Sequence, residues 1–88
     1  MIVKTKKSFN KDIDKISDSK LAQRIKETIE FIEKANTINQ VHNLKKMKGD
    51  INAYRIRIGN YRLCFFFKND IVELTIFAHR KDIYKYFP

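Results

Sequence analysis

The sequence predicts a small α+β domain. A helical hairpin packs on one face of a mainly antiparallel, twisted sheet, in the order β-α-α-β-β-β with a short C-terminal helix. Three observations predict it. From Tyr54 to His79, apolar runs alternate with period two and are joined by Gly59-Asn60 and Asn69-Asp70, residue pairs suited to two-residue hairpin turns. From Phe9 to Ile32, apolar residues recur instead at three- and four-residue spacing, the period of a helix face. The 88 residues suffice for one domain, 1–88, without a linker, a repeat or a low-complexity tract.

Ile2-Val3-Lys4-Thr5 is a short β-branched strand candidate. Ser8 then offers an N-cap for a helix with Phe9, Ile13 and Ile16 on one face, and Asp12 and Asp14 fall in its early turns. Ser17-Asp18-Ser19 breaks that helix and caps the next, whose stripe is Leu21, Ile25, Ile29 and Ile32. Charges on the second helix nearly balance, so it is not expected to bind a polyanion. From Asn36 to Asp50 the periodicity dissolves, and Lys45-Lys46-Met47-Lys48-Gly49 reads as a basic loop. Beyond His79, the tail to Pro88 has room for a turn or two of helix.

Composition narrows the function. The net charge is +9, from 19 Lys and Arg against 10 Asp and Glu, which points to a polyanion or an acidic protein as partner. A lysine-rich composition with no functional meaning is the competing explanation. A single cysteine, Cys64, rules out an intrachain disulfide and the paired spacings of zinc sites. A free thiol fits a reducing cytosol, and a cytoplasmic location is expected. No apolar run approaches a membrane span, and Met1 to Phe9 has no signal-peptide pattern.

Two-residue turns set register, and register sorts side chains onto faces. In the first hairpin Arg57 is expected opposite Arg62 and Arg55 opposite Cys64. In the second, unbroken alternation places Cys64 opposite Thr75 and Arg62 opposite Phe77. One face then collects Ile56, Ile58, Leu63, Phe65, Val72, Leu74, Ile76 and Ala78 as a core. The other collects Arg55, Arg57, Arg62, Cys64, Phe66, Glu73, Thr75, Phe77 and His79. Opposed arginines cost stability unless a ligand supplies the counter-ion, and guanidinium forks match phosphate oxygens in pairs. Phe77 and Phe66 on that face could stack on bases. Lys45, Lys46 and Lys48, just before the sheet, are candidates for phosphate contact or a plain solvated connection. His79, at the rim of the arginines, could transfer protons. Cys64 reads as a small buried hydrophobe and His42 as an inert loop residue.

The run Tyr54-Arg55-Ile56-Arg57-Ile58-Gly59-Asn60-Tyr61-Arg62-Leu63, with Ala78-His79-Arg80-Lys81-Asp82-Ile83-Tyr84 two strands later, resembles the RelE/ParE superfamily of toxins from type II toxin–antitoxin systems. Leu44-Lys45-Lys46-Met47-Lys48-Gly49 matches the LKxLKG pattern that often precedes this run, and the resemblance covers essentially the whole chain. It implies a ribosome-dependent mRNA interferase that cuts mRNA in the ribosomal A site, without metal or cofactor, by attack of a ribose 2′-OH on the adjacent phosphate.

Carried over residue by residue, the resemblance implies Arg55, Arg57, Arg62, Arg80 and Tyr84 as site residues. Arg55 and Arg57 stand where the family has lysines, and arginine is a poor proton acceptor. The general base then falls to His79 or to Lys45, Lys46 or Lys48. Arg55, Arg57 and Arg62 are expected to clamp phosphate. His79 with Arg80 would transfer protons or stabilise charge, and Tyr84 would stack on a base or anchor the tail. The implied partners are a cognate acidic antitoxin, the ribosome and its mRNA, with operator DNA reached only through the antitoxin. A ParE-type toxin that inhibits DNA gyrase without cutting RNA is the main alternative. A nucleic-acid-binding module that leaves RNA intact is another.

Overall fold

The computed structural model describes the backbone of residues 1–86 and the side chains of 1–85; Phe87 and Pro88, the end of the predicted tail, lie outside the described residues. The order is β1 (Ile2–Thr5), α1 (Lys7–Asp14), α2 (Ser19–Lys34), a 3-10 turn (Ile38–Gln40), β2 (Leu44–Lys46), β3 (Ala53–Ile58), β4 (Tyr61–Lys68), β5 (Ile71–His79) and α3 (Ile83–Tyr86). The five strands form one sheet in the order β1-β5-β4-β3-β2. All neighbours are antiparallel except β1, which runs parallel to β5.

The fold class is as the sequence predicts, with one strand added. Lys45 and Lys46 lie in β2, which pairs with β3, rather than in a loop. An edge strand is short and lysine-rich because those features discourage pairing with another chain, and they also hide it from a propensity reading.

Local chemistry accounts for the helices. The Asp18 carboxylate accepts from the backbone N–H groups of Lys20 and Leu21 at 2.9 and 3.2 Å and so starts α2 as predicted. Ile25 and Ile32 of its stripe are buried, while Leu21 and Ile29 pack partly buried on the same core. Ser8 does not cap α1. The helix begins at Lys7, and the Ser8 hydroxyl donates instead to the Thr75 carbonyl at 2.6 Å. Asp12 lies in the last turn rather than an early one, and its carboxylate accepts the Phe77 N–H at 2.9 Å.

Both bonds answer one irregularity. Phe65 pairs with Leu74, but Cys64 pairs with Ile76, so Thr75 is an extra residue in β5 with no partner in β4. A bulge leaves backbone groups outside the ladder. β1 stops at Thr5, opposite Leu74, and α1 takes over that edge of β5. Lys6 N–H donates to the Leu74 carbonyl at 2.9 Å, Ser8 satisfies Thr75, and Asp12 satisfies Phe77.

The bulge reverses the faces beyond Thr75, which corrects the expected register. Phe77 turns into the main core with Phe9, Ile25, Ile32, Leu63 and Phe65. Ile76 and Ala78, expected in that core, move to the arginine face. There they pack against a second apolar cluster of Met47, Ala53, Cys64 and Ile83. The arginine face is therefore half-covered, with α3 supplying the cover through Ile83.

Asp12→Ala leaves the Phe77 N–H without its acceptor. It is expected to cost about 1–3 kcal/mol, with each kcal/mol lowering Tm by about 4–8 °C in a domain of this size. Asp14→Ala, at an exposed position two residues on, is the control and should stay within about 0.5 kcal/mol. Thermal melts of the two variants side by side check this.

Candidate functional site

The first hairpin has the expected register. Arg57 lies opposite Arg62 and Arg55 opposite Cys64. Only Gly59 of its two turn residues has a positive φ, at 59°, so the turn needs glycine at that position. β2 adds a fourth cation to the same face, because Lys45 pairs with Arg55. These residues, with Asn43 and Leu44, enclose a cavity of about 300 Å³.

The Arg62 guanidinium is anchored rather than free. Its Nη1 donates to the Gly59 carbonyl at 3.1 Å and to the Tyr61 carbonyl at 2.9 Å. Burial first, and then the guanidinium groups of Arg55, Arg57 and Arg80, pull its pKa below the ordinary arginine value. Arginine nevertheless remains charged in proteins. Arg80 thus belongs electrostatically to the cluster, while its backbone N–H is held by the Asn60 carbonyl at 2.8 Å.

Tyr84 on α3 completes the arrangement. Its hydroxyl accepts from Arg55 Nη1 at 2.7 Å, and the guanidinium carbon lies 5.9 Å from the ring centroid. The residue is nevertheless 70% exposed, so it presents an aromatic surface to solvent beside the cations. Among the described residues, the ion pairs are Lys6–Glu73 and Lys85–Asp82, neither of them in the cluster. The arginines have no carboxylate counter-ion there, so an anionic ligand would relieve a repulsion built into the strands.

Four sequence-predicted residues are not brought together with this cluster. Phe77 is 4% exposed and stacks on Tyr61, with ring centroids 5.2 Å apart, so it is unavailable to a base. His79 pairs with Tyr61 and meets its ring edge-on at 5.4 Å, which puts it on the helix side of the sheet. Its Nδ1 accepts the Lys81 N–H at 3.1 Å, and it lines a cleft with Asp12, Lys15 and Tyr61. The Thr75 bulge is the cause in both cases. Lys46 pairs with Tyr54 and so also lies on the helix side. Lys48 is exposed in the turn after β2, before Gly49.

The sequence of residues 3–84 matches the family described as the ParE toxin of the type II toxin–antitoxin system parDE. The chain belongs to this family of toxins. Toxin RelE3 of Methanocaldococcus jannaschii is 40% identical to it over 83 residues, 93% of each chain. The toxin's fold matches a chain of the RelB–RelE antitoxin–toxin complex from Methanococcus jannaschii with a TM-score of 0.82 and 38% identity, covering 97% of this chain and 99% of that one. The archaeal RelE–RelB complex from Pyrococcus horikoshii matches with a TM-score of 0.71, covering 93% and 97%; at 20% identity this likeness is one of fold. This protein is thus a RelE-like toxin of a type II toxin–antitoxin system.

Two further groups could join the toxin's cluster or be confused with it. Arg24 of α2 reaches the Gly59 turn, where its Nη1 lies 3.1 Å from the position a Cβ on Gly59 would take. The sequence reading, which set α2 aside as charge-balanced, missed it because only tertiary packing delivers it there. Cys64, opposite Arg55, is no nucleophile. Burial pushes its thiol up to about 12, against the pull of Arg55 and Arg62. Folded toxin should therefore resist thiol reagents at pH 8 and react once unfolded.

The protonated thiol contributes stability that is fully present below its ordinary value of 9.0 and is lost as pH rises towards about 12. Cys64→Ala should lose less unfolding free energy than the parent over that window, measured by denaturant titration at several alkaline pH values. Among the described residues no helix is long and apolar enough to cross a membrane, and no group of three or more His, Cys, Asp or Glu is placed to hold a metal ion.

Proposed function

We propose that this toxin is a ribosome-dependent mRNA endoribonuclease that cleaves by 2′-OH attack. The observation that carries the reading is the convergence of Lys45, Arg55, Arg57 and Arg62 on one cavity with Tyr84 bonded to Arg55. Cleavage of this kind needs a proton acceptor for the 2′-OH, a donor for the 5′ leaving oxygen, and cations where charge gathers on phosphorus.

Arg57 and Arg62, opposed across the hairpin, hold the non-bridging oxygens. Arg55 and Arg80 add to the same field. Lys45, after giving up its own proton to solvent, takes the 2′ proton on its neutral amine, replacing His79 in that role because His79 lies on the other side of the sheet. The 2′ oxygen bonds to phosphorus, the P–O5′ bond breaks, and Tyr84 gives its proton to the leaving oxygen. The products are a 2′,3′-cyclic phosphate and a 5′-hydroxyl. Tyr84, largely exposed, also offers a face on which a base can stack.

The partners follow from the family and the charge. A cognate antitoxin, acidic enough to meet a net charge of +9, would cover the arginine face. The named relatives from Methanococcus jannaschii and Pyrococcus horikoshii were solved with RelB. Ribosome and mRNA are the proposed targets, and operator DNA would be reached through the antitoxin.

The test is to add purified toxin to a translating extract and map mRNA 5′ ends by primer extension. Cuts within A-site codons that vanish with Arg62→Ala support the reading. Intact mRNA together with blocked supercoiling by DNA gyrase would overturn it in favour of a gyrase-directed toxin.

A further inference from the structure

We propose that the cleft between α2 and the segment Val41–Asn43 is a nucleobase pocket, taking an unpaired base of the RNA whose phosphate lies on the arginine cluster. The proposal rests on the RNA-binding part of the reading above. The cleft has a volume of about 220 Å³. A cavity of about 150 Å³ suffices for a benzene ring, so there is room for one flat heterocycle.

Its wall carries an aromatic surface that the core does not use. Phe31 lies off the buried stripe of α2 and is 41% exposed. Its ring meets that of His42 at 5.5 Å between centroids and 45° between planes. His42, read from sequence as an inert loop residue, is thus half of a ring pair lining the cleft. Exposed ring faces of this kind take bases without regard to sequence.

The polar groups in the cleft distinguish a base from a phosphate. Glu27 is among the lining residues, and a carboxylate disfavours a phosphate while accepting from base N–H groups. Arg24 and Asn43 supply donors for carbonyl oxygens and ring nitrogens. A mixture of donors and an acceptor around an apolar floor suits a base edge.

The cleft is also continuous with the arginine site. Asn43 and Arg57 line both this cleft, on the helix side of the sheet, and the cationic cavity on the other side. β2 begins at Leu44, and just before it the Asn43 carbonyl accepts the Arg57 N–H at 3.3 Å. Asn43 has a φ of 59°, so the chain turns there. An RNA strand passing this edge can leave its phosphate on Arg57 and Arg62 and place the neighbouring base against Phe31 and His42.

Fluorescence anisotropy with the full toxin tests this. The probes are a short labelled single-stranded RNA and the same strand carrying one abasic nucleotide, each titrated across a range of salt concentrations. The toxin should bind the intact strand about tenfold more tightly, the scale of one base–aromatic stack. Phe31→Leu, which keeps apolar volume but removes the ring face, combined with His42→Ala, should abolish that difference while leaving the salt slope unchanged. Arg62→Ala should lower the salt slope while keeping the difference.

Equal binding of both strands by the parent toxin, or an undiminished difference in the Phe31→Leu/His42→Ala variant, overturns the pocket. An unchanged salt slope with Arg62→Ala overturns instead the phosphate role of the arginine cluster. Absence of RNA binding in every protein removes both.

Discussion

Replacing Arg62 by alanine is expected to lower the mRNA cleavage rate by about 10²–10³-fold, the range typical of removing one oriented donor from a site of developing negative charge, with Tm unchanged or raised. The two effects have one origin. Arg57 and Arg62 oppose each other across the first hairpin, and like charges in that arrangement cost up to about 1 kcal/mol. Removing one relieves the repulsion, although the bonds from Arg62 to the Gly59 and Tyr61 carbonyls are lost with it.

Those two bonds also explain why lysine is a poor substitute. They orient a planar fork, whereas an ammonium is a point charge on a flexible stem. Arg62→Lys should therefore fall between alanine and the parent in rate. The measurements are single-turnover cleavage on programmed ribosomes and a thermal melt of each variant. A rate for Arg62→Ala within about threefold of the parent, at matched Tm, would falsify the assignment, since it implies less than about 1 kcal/mol of transition-state stabilisation.

Replacing Phe77 by alanine should remove most of the domain's stability. The bulge at Thr75 turns Phe77 into the main core, where it is 4% exposed and stacks on Tyr61; unbroken alternation would instead leave it on the arginine face, where its loss would cost little. Removal of one buried phenylalanine costs about 3–5 kcal/mol. A domain this small has a total stability towards the lower end of about 5–15 kcal/mol, so little is left. Far-UV circular dichroism during heating should show Tm lowered by more than about 10 °C or no sigmoidal transition at all. A two-state melt within about 5 °C of the parent, a shift that corresponds to only about 1 kcal/mol, would show that Phe77 is not held in the core.

The bulge also marks where the sequence ceases to be legible. The first hairpin could be read residue for residue because Gly59-Asn60 leaves one geometry open, and the cap at Asp18 because its carboxylate has local partners. Thr75 carries no such signal. It sits in an unbroken β-branched and apolar run, and the residues that stabilise its irregularity, Ser8 and Asp12, are on a helix more than sixty positions earlier.

The consequences fell on the site residues nearest the bulge. Unbroken alternation puts Phe77 and His79 on the arginine face, but the alternation holds only as far as Leu74. Arg55, Arg57 and Arg62, on strands without irregularity in their mutual pairing, came out on one face as expected. Lys45 could be placed only once β2 was known to exist, and Arg24 only once α2 was docked.

The parallel pairing of β1 with β5 bears on when the toxin becomes a toxin. Ile2 finds its partner in Ile71, 69 positions later. Closing so long a loop carries an entropic cost that must be met before its contacts form, and pairings of this separation make folding late and slow. During synthesis the first strand and both long helices are made before any residue of β5. Their apolar stripes then have no sheet to cover, and α1 has no bulge to bond. The nascent chain therefore carries exposed hydrophobic surface until its last strand emerges. The assembly of Arg57, Arg62 and Arg80 into one site is among the final events of its birth.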